Sequence, residues 1–191
     1  MLTSLTESQP LPDPYKQLQY DSMRVVRREA IEQITITTRG TRAVIGTNAS
    51  KITTTYTGSS VKSMKPKNAL FACFLVSRTS FVPSVTCDIE VTAFDPSNAE
   101  YSAKTICSYD GGGDVQSCSF DASWTEVAKL EFQILPTGFL GSVANVLGFL
   151  LSLTGVSNIA DVGTTAFFLD DFSTVYNCEH GFENDAAGLC V

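Results

Sequence analysis

At 191 residues and 20.6 kDa the chain has the length of one domain with its own core, and its formal charge is −7. Residues 1–70 carry ten Lys/Arg against five Asp/Glu, and residues 71–191 carry three against fifteen. An acidic main body lacks the clustered cations that phosphate binding needs, which sets nucleic acid aside as a partner; the basic stretch with Arg24, Arg27, Arg28, Arg39 and Arg42 lacks interleaved aromatics and reads as a solvated face.

Residues 1–14 are rich in Ser, Thr and Pro and read as a disordered lead-in. Residues 15–64 form a Thr-rich basic segment, expected as edge strands or an insertion. Within it, Tyr15–Tyr20 is extended and 22–33 is expected as a short helix with a thin apolar stripe. β-friendly pieces follow at Ile34–Thr38, Ala43–Ile45 and Ile52–Thr57, separated by Gly40, Gly46 and Gly58. Asn48-Ala49-Ser50 is an N-glycosylation sequon.

Residues 65–178 read as the core of a β-sandwich. Ala69–Val76 is a near-continuous apolar run, expected to be buried on both faces. Cys87–Phe94 alternates, with Ile89, Val91 and Ala93 inward and Asp88, Glu90 and Thr92 outward. Asp95-Pro96-Ser97-Asn98 signals a turn, and strands follow at Tyr101–Tyr109, Val115–Phe120 and Trp124–Leu135, with a glycine loop at Asp110–Asp114. The last strand is Ala166–Cys178, an apolar run broken by Asp170 and Asp171. Such short strands with turns between them predict an all-β, antiparallel sandwich. The uncharged stretch around 139–156, with Val143, Val146, Leu147, Leu150 and Leu151 at helical spacing, is expected as a short apolar helix or loop insertion. Pro136 and several glycines argue against a membrane span; an exposed part of 139–153 would be a surface for a protein partner.

Six cysteines without a C-x-x-C pair, and the single His180, favour a disulfide framework over a zinc site or redox motif; six reduced thiols in a cytosolic protein are the alternative. Cys107 and Cys118 flank the glycine loop, Cys73 and Cys87 flank the loop around Ser77–Ser84, and Cys178 with Cys190 would lock the 179–191 tail. A link from Cys73 or Cys87 to Cys178 is the competing pattern. The expected location is therefore extracellular, although Met1–Pro10 is polar and holds no apolar signal-peptide core.

Three constellations could carry chemistry. Asp170 and Asp171 could supply oxygen ligands to a structural calcium, or one of them could act in glycoside hydrolysis with Glu131, Asp121 or Asp161. Adjacent strand residues face opposite ways, so the plainer reading has one carboxylate satisfying backbone amides and the other solvated. Tyr101, Tyr109 and Trp124 are the aromatics a carbohydrate-binding face would use, against the alternative that strand aromatics are core. No Gly-x-Ser-x-Gly elbow is present and His180 lies in a polar tail, so no catalytic residue is assigned and a non-catalytic protein is expected. No cofactor is expected apart from the calcium option.

Leu11–Tyr20, Lys65–Leu70, Phe71-Ala72-Cys73, Val82–Phe94 and Phe167–Phe172 together resemble segments of small secreted fungal proteins. The last of these also resembles the final strand of galactose-binding-like jelly rolls and carbohydrate-binding modules. The resemblance covers about 11–20 and 65–178, and it implies a jelly roll, an extracellular role, glycan binding by fold analogy, and a calcium position at Asp170 or Asp171. Residues 22–64 depart from it, being more basic and Thr-rich. The expected function is thus a non-catalytic extracellular module binding cell-wall or surface glycans; the alternative is a structural or effector-like surface protein acting through protein contacts.

Overall fold

The structure is a computed structural model that describes residues 9–10, 16–27, 42–76, 81–82, 85–135, 164–179 and 190. Its strands are β1 (Gln9–Pro10), β2 (Gln19–Arg27), β3 (Arg42–Thr53), β4 (Val61–Val76), β5 (Phe81–Val82), β6 (Cys87–Phe94), β7 (Thr105–Tyr109), β8 (Gln116–Ser119), β9 (Lys129–Leu135) and β10 (Thr164–Cys178). Every ladder is antiparallel, and no helix occurs among the described residues.

The strands form one sheet in the order β5-β4-β10-β3-β9-β6-β7, with β2 on the outer edge of β3 and β8 on the free edge of β4. Residues Asn68–Phe71 of β4 pair with β8, and Cys107 of β7 is disulfide-bonded to Cys118 of β8. The sheet therefore curls until its two ends meet, in a nearly closed, barrel-like shape. No ladder joins β7 to β8 among the described residues, so this seam depends on the disulfide and on two side-chain bonds. The Asp121 amide donates to Thr105 Oγ1 (3.1 Å), and the Asp110 amide donates to Gln116 Oε1 (3.2 Å).

Alternation sets what fills the interior. β6 buries every second residue, and Leu130 and Phe132 of β9 are buried while Gln133 is exposed. Phe71, Val91, Cys107, Cys118, Phe132 and Phe167, drawn from six strands, converge on one apolar void of about 10 Å³. That volume holds at most a single water, so the described core around it is packed. β10 runs between β4 and β3, and Ala166 to Asp170 are buried without interruption, as are Phe71 to Phe74 opposite them. Phe167 and Leu169 face the void, while Phe168 stacks on Phe74 with ring centroids 4.4 Å apart.

β3 is the strand that turns the corner. Val44–Gly46 pair with β10, whereas Ser50–Thr53 pair with β9, and β2 follows both halves. The switch happens at Thr47–Ser50, which stand opposite Ser22 alone. Ser22 and Ala49 adopt the left-handed backbone (φ 58° and 65°), and buried Ser50 Oγ accepts from the Thr47 amide and donates to the Ser22 carbonyl.

Gly46 permits this crossing, because the Phe167 ring lies directly over it. A Cβ at position 46 would fall 2.4 Å from Phe167 Cζ and under 3 Å from both Cε atoms. We expect Gly46→Ala to lower stability by about 1–3 kcal/mol through overpacking. In urea unfolding, Gly46→Ala/Phe167→Leu should lose less than the sum of its single changes. Strict additivity would show that the contact is not the cause.

The structure departs from the expected elements in several places: Gln9–Pro10 of the expected disordered lead-in pair with β2, and Tyr101–Lys104 of the expected Tyr101–Tyr109 strand precede β7 without joining it. Residues up to Arg27 of the expected 22–33 helix belong to β2, because Val25 and Val26 pair with Val44 and Ala43 of β3. Trp124–Ala128 is not strand. The chain there crosses to β4, where the Met64 and Val127 amides each donate to the other residue's carbonyl, and β9 starts only at Lys129. Part of the 15–64 segment, expected at an edge or as an insertion, supplies β3 to the middle of the sheet. The 139–156 expectation lies outside the described residues.

Candidate functional site

The acid pair lies at a bulge. β10 pairs Asp170 with Leu70 of β4 and next pairs Ser173 with Asn68, so Asp171 and Phe172 together oppose Ala69. The extra residue is accommodated by Asp171, whose φ is 46°. Asp170 is buried and its Oδ1 accepts the Asp171 amide at 2.9 Å; Asp171 is exposed. Phe172 turns edge-on to Phe120, with centroids 5.9 Å apart. Asp170 therefore binds the backbone of its own bulge.

Asp121 and Glu131, two of the possible partner acids, are engaged elsewhere. Asp121 Oδ1 accepts both the amide and the hydroxyl of Ser123, which holds its carboxyl below the usual range. Burial alone would push the Glu131 carboxyl up, but bonds to Lys129 and Lys51 (3.1 and 3.2 Å) outweigh this and hold it low. Asp161 lies outside the described residues. Among the described residues no group of three or more His, Cys, Asp or Glu is placed to hold a metal. Two carboxylates supply only part of the six to eight oxygens, roughly, that calcium takes.

The three candidate aromatics have different environments. Trp124 is fully buried, stacks on Phe120 (6.0 Å) and donates Nε1–H to the Ala103 carbonyl (3.2 Å). Tyr109 is buried edge-on against Phe71, and its hydroxyl accepts the Gly113 amide. Neither ring has a face for a sugar, because each has been drawn into the apolar interior that the barrel requires. Tyr101 is half-buried and its hydroxyl accepts the Glu126 amide. An exposed platform of all three does not form.

All six cysteines are paired, as 73–87, 107–118 and 178–190. These are the local pairings expected from the sequence, and the competing link to Cys178 is absent. Cys73–Cys87 joins β4 to β6, and Cys178–Cys190 returns the C-terminal residues to the end of β10. There the Gln17 side chain accepts the Cys190 amide (2.8 Å) and donates to its carbonyl, like one rung of a ladder. Tyr176 donates its hydroxyl to the Lys16 carbonyl (2.8 Å), and burial pushes its pKa up to about 12. Three disulfides are compatible with an extracellular protein. Asn48, in the exposed part of the β3 corner, accepts the Ile134 amide through Oδ1, so its side-chain nitrogen, where a glycan would attach, is not used in that bond.

A feature that sequence reading passed over is on β4. Lys62, Lys65 and Lys67 are exposed, while Val61, Met64, Pro66 and Ala69 between and beside them are buried, so the lysines share the strand's outer side. Register shifts between β10 and β4 at Ser173/Thr174 and Asn177/Cys178 reset the alternation around them. Val175, 43% exposed, lies opposite Lys65. The signal in the sequence is the spacing of the lysines around Met64 and Pro66, which does not stand out from the general basic character of residues 1–70.

Comparison with protein-family models, with curated proteins and with solved structures finds no match to this chain. Among the described residues no helix is long and apolar enough to cross a membrane.

Proposed function

We propose that this is a non-catalytic extracellular β-domain that binds a cell-wall or surface glycan through its outer surface. The observation that carries the reading is the combination of three disulfides with an interior filled by its own side chains. A fold crosslinked in this way suits an oxidising compartment, and the void among the described core residues is too small for a ligand, which favours the exterior. The exposed polar residues of β7 and β8, Ser108, Ser117 and Ser119, and the half-buried Tyr101 give that exterior the hydroxyl-rich character a glycan can bond.

The same reading includes a jelly roll and kinship with the small secreted fungal proteins. Nested pairing supports the jelly roll: β6 pairs with β7, β4 with β8, and the two halves of β3 with β9 and β10. One long antiparallel ribbon, folded over on itself, has this pattern. The test is retention of the oxidised protein on insoluble chitin, glucan, xylan, mannan and pectin. We expect retention on at least one; free passage through all five would overturn the glycan reading.

A further inference from the structure

From the row on β4 we infer that the glycan is acidic: Lys62, Lys65 and Lys67 form a docking surface for a linear carboxylated polysaccharide. This rests on the glycan reading and narrows it. Other lysines of the domain are neutralised within the fold. Lys51 and Lys129 both bond Glu131, Lys129 also lies 3.8 Å from the Phe94 ring centroid, and Lys104 bonds Glu90 at 2.8 Å with Glu100 at 3.6 Å. Among the described residues, no carboxylate comes within 4.0 Å of Lys62, Lys65 or Lys67. In a chain of net charge −7, three cations left unneutralised on one strand face are a local reversal of sign.

Geometry favours an extended polyanion over other acidic partners. At about 3.3 Å per residue the row spans at most roughly 16 Å along a strand bent by its two bulges, a track that can meet successive charges of a linear chain. Val175 beside Lys65 is the one large apolar side chain exposed on β10, too little to insert into a bilayer. No aromatic ring stands in the row to stack a nucleobase. The adjoining loop, held to β4 at Met64–Val127, presents the exposed Thr125 hydroxyl, a neutral group that a glycan can bond.

The test is titration of the full-length oxidised protein with polygalacturonate, with soluble xylan as the neutral probe and phosphatidylserine vesicles as the lipid probe. The variant is Lys62→Gln/Lys65→Gln/Lys67→Gln, with Lys104→Gln as a control elsewhere on the surface. We expect polygalacturonate binding that falls about tenfold or more between 50 and 200 mM salt, as release of counterions from about three contacts implies. The triple variant should lose it by at least tenfold while keeping its urea midpoint, and Lys104→Gln should retain it. Binding of xylan that the triple variant preserves would overturn the acidic-ligand proposal and leave the glycan reading standing. Binding of vesicles without polygalacturonate would overturn the proposal in favour of an anionic lipid surface. Binding of no glycan at all would remove both.

Discussion

Trp124→Ala is expected to lower stability by about 3–5 kcal/mol, among the largest losses a single change in this domain can produce. The indole is fully buried, covers Phe120, and gives its N–H to the Ala103 carbonyl. Alanine would leave a cavity next to that ring and remove the carbonyl's indole partner. Trp124→Phe should recover part of the loss by refilling the cavity without restoring the bond. Urea unfolding of the oxidised proteins measures both. A loss below about 1 kcal/mol, accompanied by loss of glycan retention, would instead make Trp124 a ligand-contacting residue and contradict its role as a core residue.

Removing the Cys107–Cys118 bridge should have the second large effect. Closing a loop of this size is worth about 2–4 kcal/mol in general, and here it also holds the seam that lacks a ladder. With Cys107→Ser/Cys118→Ser, only the Thr105–Asp121 and Gln116–Asp110 bonds remain across the β7–β8 gap. Amide exchange should therefore accelerate first in β7, β8 and Asn68–Phe71 of β4, ahead of the β3–β10 ladder. Uniform acceleration across all strands would show that the seam is no weaker than the rest of the sheet.

Local features of this fold were legible in the sequence, and non-local ones were not. Cys87–Phe94 shows its buried and outer faces by simple alternation, and each disulfide closes a short loop between neighbouring elements, so chain proximity alone suggested the pairing. The uninterrupted apolar run of Ala166–Leu169 marked β10 as an interior strand, which it is. By local pattern Gly46 separates two β pieces, whereas it lies inside one strand. The demand for glycine comes from Phe167, far along the chain, and no local pattern reveals it. Residues 22–27 were ambiguous for the same reason: their strand state follows from pairing with β3 rather than from their own thin periodicity.

The candidate site was legible in type but not in geometry. Asp170 and Asp171 stood out as adjacent acids, but the bulge that buries one against the other's amide depends on the register with β4. Trp124, Tyr109 and Tyr101 could not be sorted into core and rim until the chain crossing at Val127–Met64 was known. The lysines of β4 required the same kind of information. Their common face becomes visible only when Met64 and Pro66 are seen buried between them.

The central claim, that an internally closed and crosslinked domain uses its outer surface to hold a glycan, is tested most directly by a glycan array probed with the oxidised, full-length protein. Specific signals are expected, concentrated on carboxylated oligosaccharides and weakened by salt. An array without a signal above that of the unfolded, reduced protein would contradict it.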